Sequence, residues 1–354
     1  MKKSFVTAAV LAATTGAFAQ SSVTLYGRLD LGMSNNKNTA NAGGVGIVPN
    51  TTAKSFSLAG AQGVRTGGRL GVRGTEDLGG GLKAGFNIET QVNPDSSAST
   101  FGTTRNGNLS LAGGFGTITI GTFDNAFDDV RGYSASTAGV AGGDFLAKTS
   151  GAFIDGRSQN ALAYRSPAMG GFYVRADVLR QKIDTTTTTP GVRDLGYIFA
   201  AGYDNGPLSA LLAFGGGKNI VLPANTGIKA TDLGFGVSYD LGIAVPYFQY
   251  EQAKGAAIPA PGYNKVRSFE LGSKFPLGAF TPYITLSAGK ASNQAGSTGK
   301  LRGFQIGTTY DISKRTYVYT ALGTDKTTQA NVAPGATTGF SKNSGYALGL
   351  VHSF

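Results

Sequence analysis

The chain is patterned in short runs in which apolar and polar side chains alternate. In residues 23–33, valine, leucine and methionine occupy one phase, while threonine, tyrosine, arginine and aspartate occupy the other. Residues 68–73 and 82–92 repeat the alternation, with Arg69, Arg73 and Lys83 on the polar phase. Because successive side chains of a strand point to opposite faces, this period of two predicts strands with one apolar and one wet face.

The same pattern predicts about sixteen strands along the chain. The further candidates are residues 105–112, 116–122, 158–166, 172–181, 195–203, 208–216, 231–240, 243–252, 266–275, 280–291, 301–311, 315–324 and 343–354. Short turns, such as 204–207, alternate with longer polar connections at 34–66, 123–157, 183–194, 218–230, 254–265 and 326–342. This layout predicts an all-β fold, a 16-stranded antiparallel transmembrane β-barrel with short periplasmic turns and long extracellular loops.

Composition fits a barrel better than the competing soluble architectures. Hydrophobic residues make up 41% of the chain and the mean hydropathy is −0.04, which by itself resembles a soluble protein. Only about half of a barrel strand faces lipid, so a membrane barrel can look hydrophilic overall. A soluble β-sandwich or solenoid would bury bulky apolar side chains between its layers, whereas these strands keep one face small and polar. The chain has no cysteine, so disulfides cannot stabilise it.

The first residues have the three parts of a secretory signal. Met1, Lys2 and Lys3 give a positive start, residues 5–13 are apolar, and residues 17–19 form a small-x-small cleavage site. A membrane anchor would need about 18 or more apolar residues. We therefore predict a signal peptide at residues 1–19, cleaved before Gln20, and a single barrel domain at 20–354.

The last residues alternate up to a terminal aromatic side chain. Tyr346, Leu348, Leu350 and Phe354 share one face, with Gly349 on the other. A closing strand of this form is typical of the assembly signal of Gram-negative outer-membrane barrels. We therefore predict that these four apolar residues act in barrel assembly.

Six ordered blocks of the chain resemble one family, the general diffusion porins of β-proteobacteria of the Neisseria, Bordetella and Burkholderia type. The blocks are residues 22–27, 69–84, 115–121, 164–167, 310–316 and 350–354. The resemblance implies a water-filled homotrimer in the outer membrane whose third long loop, residues 123–157, folds inward as a constriction. It also implies contact with outer-membrane lipid and lipopolysaccharide and with the barrel-assembly machinery. The family's loop often carries a Pro-Glu-Phe-Gly motif, and residues 142–146 here have no proline.

Residues for catalysis or metal binding are scarce. The chain has one histidine, His352, and no cysteine, so neither a nucleophile–histidine site nor a zinc site is expected. Asp124, Asp128 and Asp129 lack the ligand order of an EF-hand and are interpreted as a solvated acidic face. The loose glycine motif at 79–84 precedes a strand and is therefore interpreted as a turn. We predict no enzymatic activity and no cofactor.

The basic residues follow the polar phase of the strands. Six of them would point into the lumen of a barrel, because a cation facing lipid at mid-bilayer costs roughly 2–4 kcal/mol. They are Arg28, Arg69, Arg73, Lys83, Arg165 and Arg175. The third loop adds Asp124, Asp128, Asp129 and Asp144, together with Arg131, Lys148 and Arg157. For any single residue, a structural salt bridge is the alternative interpretation.

Net charge sets the predicted selectivity. The predicted signal holds two lysines and no acid, so the formal net charge of +11 becomes +9 after cleavage. The cations are scattered and lack the aromatic platforms of a nucleic-acid surface, so no nucleic-acid partner is expected. Basic residues facing a mixed-charge loop across a narrow pore favour anions.

The sequence therefore predicts a general porin for ions and small hydrophilic solutes, with a preference for anions. One alternative is a solute-specific channel, which would need an aromatic track in the lumen, and Tyr26 and Tyr173 are the isolated candidates. The other alternative is a barrel that serves mainly as an adhesin or envelope anchor, which a plugged lumen would favour.

Overall fold

The alternating runs form one closed antiparallel barrel of sixteen strands, which confirms the predicted fold class. The computed structural model describes residues 22–45, 49–58, 65–94, 99–142, 156–183, 192–218, 229–258, 263–292, 298–330, 336–337 and 339–354. The predicted signal peptide and Asp144 lie outside these residues. Among the described residues, no helix has the length and apolar character needed to cross a membrane.

The strands are numbered in chain order. The sixteen that close the barrel are β1 (Ser22–Asn41), β4 (Gly68–Gly79), β5 (Leu82–Val92), β6 (Phe101–Gly113), β7 (Gly116–Asp124), β8 (Arg157–Arg165), β9 (Phe172–Ile183), β10 (Val192–Asn205), β11 (Leu208–Lys218), β12 (Lys229–Tyr239), β13 (Val245–Ile258), β14 (Tyr263–Lys274), β15 (Phe280–Ser292), β16 (Thr298–Ser313), β17 (Thr316–Ala330) and β19 (Gly339–Ser353). The other elements within the described residues are β2 (Gly44–Val45), β3 (Thr51–Leu58), β18 (Ala336–Thr337) and a helix, α1 (Ala126–Arg131).

The barrel closes between its first and last strands. β1 pairs with β19 from Arg28 opposite Ser353 to Asn41 opposite Phe340. On its other side β1 pairs with β4 at one end and with β3 at the other, so β3 extends the wall beyond the start of β4. Closure leaves no free edge, which is how a membrane sheet satisfies its backbone hydrogen bonds.

The two faces of the wall differ as the alternation predicts. Large apolar side chains such as Leu109, Ile120 and Phe269 are exposed on the outside. Inward-facing positions of the same sheet include buried polar residues such as Glu270 and Gln305. The outward apolar band is the surface that a barrel presents to lipid.

Several strands extend further than the alternation predicts. The predicted loop 34–66 contains the last part of β1, as well as β2 and β3, and much of 254–265 and 326–342 is strand. These extensions lie at the long-loop end, where both faces of a strand meet water and the apolar signal disappears while backbone pairing continues. At the opposite end, only Gly80–Gly81 of the segment 79–84 that we interpreted as a turn is a turn, because β4 runs on to Gly79 and β5 begins at Leu82.

Candidate pore constriction

The third loop begins with a short helix that packs against the inside of the barrel. The side chain of Asn125 caps α1 by accepting the backbone N–H of Phe127 at 3.0 Å. Phe127 and Val130 are 1% exposed and belong to one apolar cluster with wall residues that include Ala213 of β11. Gly234 of β12 leaves room for the Phe127 ring. Apolar burial therefore holds the start of the loop inside the lumen.

Beyond α1 the loop continues along the same half of the wall through polar contacts. Ser134 donates a hydrogen bond to Glu270 of β14. The backbone N–H of Thr137 donates to Gln305 of β16 at 2.6 Å, and that of Gly142 donates to Asp325 of β17 at 3.0 Å. The loop is thus attached to successive strands from β10 to β17.

Two glycines allow the closest approach of loop and wall. A Cβ at Gly323 of β17 would overlap the carbonyl oxygen of Ala141. Gly142 has a φ of +77°, and a Cβ there would overlap the carbonyl oxygen of Phe304. Larger side chains at these positions would push the loop away from the wall.

This attachment covers the acidic half of the inner wall. Glu270 is 0% exposed and also accepts a hydrogen bond from Tyr247, while Asp325 is 4% exposed and accepts one from Asn343. Both carboxylates are used to bind the loop. These two carboxylates therefore contribute little to the accessible surface of the lumen.

The opposite half of the inner wall carries arginines that the described part of the loop leaves uncovered. Arg69 and Arg105 both contact Glu89, with N–O distances of 3.7 and 2.6 Å. Arg157 contacts Asp124 at 3.1 Å. Glu89 is shared between two arginines and therefore leaves one positive charge in excess, whereas Asp124 and Arg157 form a one-to-one pair.

A second arginine group lies where this wall meets α1. Arg175 contacts Asp177 at 2.8 Å and Asp129 of α1 at 3.3 Å. The guanidinium carbon of Arg165 lies 4.0 Å from the centre of the Tyr173 ring. A mixed-charge cavity of about 510 Å³ adjoins these residues. Arg175 thus links α1 to the arginine-bearing wall.

Asp30 organises a segment that sequence analysis assigned to a loop. One of its carboxylate oxygens accepts the backbone N–H groups of Arg65, Thr66 and Gly67, at 2.9, 2.5 and 3.1 Å. Arg28 donates to the carbonyl oxygens of Thr66 and Gly67 at 2.7 and 3.1 Å. Arg28 and Asp30 together therefore fix the entrance to β4, and Arg28 has a structural role.

This anchored segment directs Arg65 towards the third loop. The Arg65 guanidinium donates to the hydroxyl of Thr137 at 2.9 Å and lies 5.7 Å from the centre of the Tyr283 ring. Arg65 was not among the predicted site residues, because the strand pattern gives no phase to a residue in a connection. Together with Arg105, it is a cation of the lumen that sequence analysis missed.

The other predicted residues are more dispersed. Arg73 stacks over Tyr26, with 4.9 Å between the guanidinium carbon and the ring centre. Lys83 is exposed and pairs across the sheet with Asp77, near the Gly80–Gly81 turn. Arg131 ends α1 and is half-buried. These three residues lie apart from the Glu89 group.

Burial affects the two carboxylates on α1. It raises the pKa of Asp128 above its ordinary value of 3.8, and the neighbouring Asp124 adds to the shift. Burial likewise raises the pKa of Asp129, against the opposing effect of Arg175. Mild acid will therefore remove negative charge from α1 before it neutralises a freely exposed aspartate.

A wide antiparallel barrel with an apolar outer face and a loop attached inside defines the class of outer-membrane channels. The Gram-negative porin model matches residues 7–330, and the chain belongs to that family. Its sequence is 38% identical over 232 residues to outer membrane porin protein 32 of Delftia acidovorans, covering 62% of this chain and 61% of that relative. It is 30% identical over 129 residues to the major outer membrane protein P.IB of Neisseria meningitidis serogroup A, covering 36% of each chain.

Among solved structures, the chain is similar to an anion-selective porin from Comamonas acidovorans. The TM-score is 0.68 at 28% sequence identity, with 94% of this chain and 100% of that chain covered. Family and fold agree with the resemblance found in the sequence, and they place the protein in the outer membrane.

Proposed function

We propose that this protein is a general porin, through which ions and small hydrophilic solutes diffuse passively with a preference for anions. The observation that carries the proposal is the asymmetry of the inner wall. The third loop buries Glu270 and Asp325, whereas the arginines around Glu89 and Asp124 stay on the uncovered side.

Electrostatics then favours anions at the narrow part of the pore. Charged side chains that line a constriction within a low-dielectric wall attract ions of opposite sign and repel those of like sign. Arg65 contacts the third loop at Thr137, and Arg69 contacts Glu89 on the uncovered wall. The similarity to a porin described as anion-selective supports the same direction.

A solute-specific channel is less well supported. Its aromatic track would need exposed ring faces, and Arg73 and Arg165 cover one face of Tyr26 and of Tyr173. An enzymatic role has no support from the described site, whose charged groups bind one another or the loop. We therefore propose a channel without catalytic activity.

Single-channel recording of the purified protein in a planar bilayer tests this function. A general porin gives discrete open steps whose conductance rises in proportion to the KCl concentration. A conductance that changes and reaches a plateau as the concentration of an added solute rises would instead indicate a solute-specific channel. Absence of steps from a correctly folded protein would assign an anchor or adhesin.

We also propose a homotrimer whose closing strand, with Tyr346, Leu348, Leu350 and Phe354, is recognised by the barrel-assembly machinery after residues 1–19 are removed. The Phe354 ring lies over Gly27, where a Cβ would come within 2.6 Å of it. The backbones of Phe354 and Gly27 also exchange hydrogen bonds of 3.0 and 3.1 Å. Phe354 thus completes the seam between β19 and β1.

The variant Phe354→Asp tests the assembly proposal in cells. We expect at least a tenfold loss of heat-resistant trimer from the outer membrane with unchanged export to the periplasm, and a mature protein that begins at Gln20. Ser353→Ala is the matched control because it alters the inward face of the same strand end. Normal trimer levels for Phe354→Asp would contradict the proposed signal.

A further inference from the structure

The cavity of about 510 Å³ beside α1 occupies the short-turn end of the lumen. Its wall residues come from the ends of β8 to β14 that adjoin the short turns, and they include Arg165, Tyr173, Asp204, Ser209, Ser238 and Lys274. The helix α1 and the residues that follow it close the cavity on the long-loop side. Cavities of roughly 300–1,000 Å³ hold small-molecule ligands. The size of this cavity is therefore that of a ligand site.

Acids occupy one side of the cavity. Asp128 and Asp129 come from α1, and Asp204 comes from the end of β10. The side chain of Asp129 is 54% exposed although it contacts Arg175. Among the described residues, the carboxylate of Asp128 forms neither an ion pair nor a hydrogen bond. This side can therefore accept hydrogen bonds from a cationic group.

Lys274 supplies the opposite charge on the far side of the cavity. It has the inward phase of Glu270 on β14 and is half-buried. Within the part of the chain that the structure describes, its ammonium group has no ion pair and donates no hydrogen bond. Lys274 also stands opposite Tyr283, over whose ring Arg65 lies. A desolvated cation without a counter-charge is unfavourable, so this side favours a bound anionic group.

The two sides are separated by a distance that suits a short extended molecule. The helix α1 packs against β11 and β12, and Lys274 lies on β14, two strands beyond β12. At about 4.8 Å between neighbouring strands, the separation along the wall is roughly 10 Å. The hydroxyl groups of Tyr133 and Ser238 lie within this interval, because the Tyr133 ring packs over Gly236 of β12.

We infer that this cavity binds small zwitterionic solutes whose opposite charges lie roughly 7–11 Å apart, which is the span of two or three extended peptide residues. The ammonium group of the solute would meet Asp128 and Asp129, and its carboxylate would meet Lys274. A simple anion would face the acids of α1, whereas a simple cation would leave Lys274 without a counter-charge. The inference goes beyond the proposed channel function, because it adds a weak binding step on the short-turn side of α1 for one class of solute.

Three related peptides test whether both charges are recognised. Trialanine is a zwitterion, N-acetyl-trialanine keeps only the carboxylate, and trialanine amide keeps only the ammonium group. Each peptide is titrated against the purified native protein in detergent, and binding is followed by saturation-transfer NMR. Since a hydrogen bond between charged groups changes affinity by roughly tenfold, trialanine should bind about ten times more tightly than either blocked form. Equal binding of all three peptides would overturn the inference.

Variants assign each charge of the peptide to one side of the cavity. Lys274→Gln should weaken trialanine binding about tenfold and abolish the preference over trialanine amide, while the preference over N-acetyl-trialanine persists. Asp128→Asn should instead reduce the preference over N-acetyl-trialanine. Lys274→Arg keeps the positive charge and should retain most of the affinity. Unchanged trialanine affinity in Lys274→Gln would overturn the proposed position of the carboxylate.

The matched control is Lys314→Gln, which removes an exposed lysine from a short turn at the same end of the barrel. Because Lys314 does not line the cavity, the control should bind trialanine as the parent does. An equal loss of affinity in the control would overturn the inference. The channel proposal is tested separately by current steps in KCl without peptide. A parent that gives those steps but binds no trialanine would therefore contradict this inference alone.

Discussion

The two halves of the inner wall differ in what they present to the pore. On the β10–β17 half, Glu270 and Asp325 are buried beneath the third loop and hold it in place. On the other half, Glu89 is buried between Arg69 and Arg105, whose side chains reach the lumen. Both halves contain acids, but the described loop covers Glu270 and Asp325, whereas the two arginines that accompany Glu89 remain partly accessible.

The difference shows that the location of charged groups in the wall affects ion selectivity more than the number of charged groups does. A carboxylate that binds a loop adds little to the field in the pore, because it is covered and hydrogen-bonded. A carboxylate shared by two guanidinium groups fixes their positions and leaves a local excess of positive charge. Selectivity should therefore respond strongly to Glu89 and weakly to Glu270.

Release of the loop should have the largest effect. Gly323→Val places a branched side chain where the carbonyl oxygen of Ala141 lies, so the end of the described loop must leave the wall. We expect single-channel conductance to rise about twofold or more and anion preference to fall, because the covered acids become accessible. Gly114→Ala, in an open turn, is the control. Parental conductance in a folded Gly323→Val protein would place the loop contact outside the conduction path.

Neutralising one acid on each wall tests the comparison itself. Glu89→Gln should increase anion preference severalfold, because Arg69 and Arg105 lose their shared counter-charge. Glu270→Gln removes the same charge from the covered wall and should leave selectivity almost unchanged. The measurement compares the reversal potentials of the two variants across the same KCl gradient. Equal shifts would show that the loop does not screen its wall.

Arg65 should have a smaller effect of a different kind. Arg65→Gln keeps a hydrogen-bond donor near Thr137 but removes a cation from the lumen. We expect a modest loss of anion preference together with more frequent brief closures, because the link between the start of β4 and the loop is weakened. Arg65→Lys keeps the positive charge. Compared with Arg65→Gln, it should recover most of the anion preference but still show frequent brief closures. A variant with parental selectivity would exclude Arg65 from the pore.

Acidification should give the smallest effect. The pKa values of Asp128 and Asp129 are raised above 3.8 by burial, so both carboxylates lose their charge at a pH above the range of an exposed aspartate. Anion preference should therefore increase as the pH falls towards that range. The variant Asp128→Asn/Asp129→Asn should show the increased preference at neutral pH and a weaker pH dependence. An unchanged pH profile would mean that other groups cause the titration.

The strand alternation predicted much of the fold and part of the site. It predicted that Arg28, Arg69 and Arg175 point into the lumen, because a cation that faces lipid at mid-bilayer is unfavourable. It could not separate Arg28, which fixes a backbone segment, from Arg69, because both have the same phase. Hydrogen bonds to residues distant in the sequence make that distinction.

The loop attachment left a signal in the sequence that the alternation rule overlooks. Ile198 and Ala213 are inward-facing but apolar, so β10 and β11 are apolar on both faces. A lumen wall of that kind must be covered from inside, and Phe127 of α1 covers it. Arg65 left no such signal, since its position depends on the three backbone N–H groups that Asp30 accepts.

The zero-current potential across a KCl gradient tests the central claim most directly. The parent should be anion-selective at about 0.1 M salt and much less so at about 1 M, where the Debye length falls from about 10 to about 3 Å. Arg69→Glu/Arg73→Glu should reduce or reverse the potential. A cation-selective parent would contradict the account in which the uncovered arginine wall selects the ions. An anion-selective parent whose zero-current potential is unchanged by the two substitutions would contradict it as well.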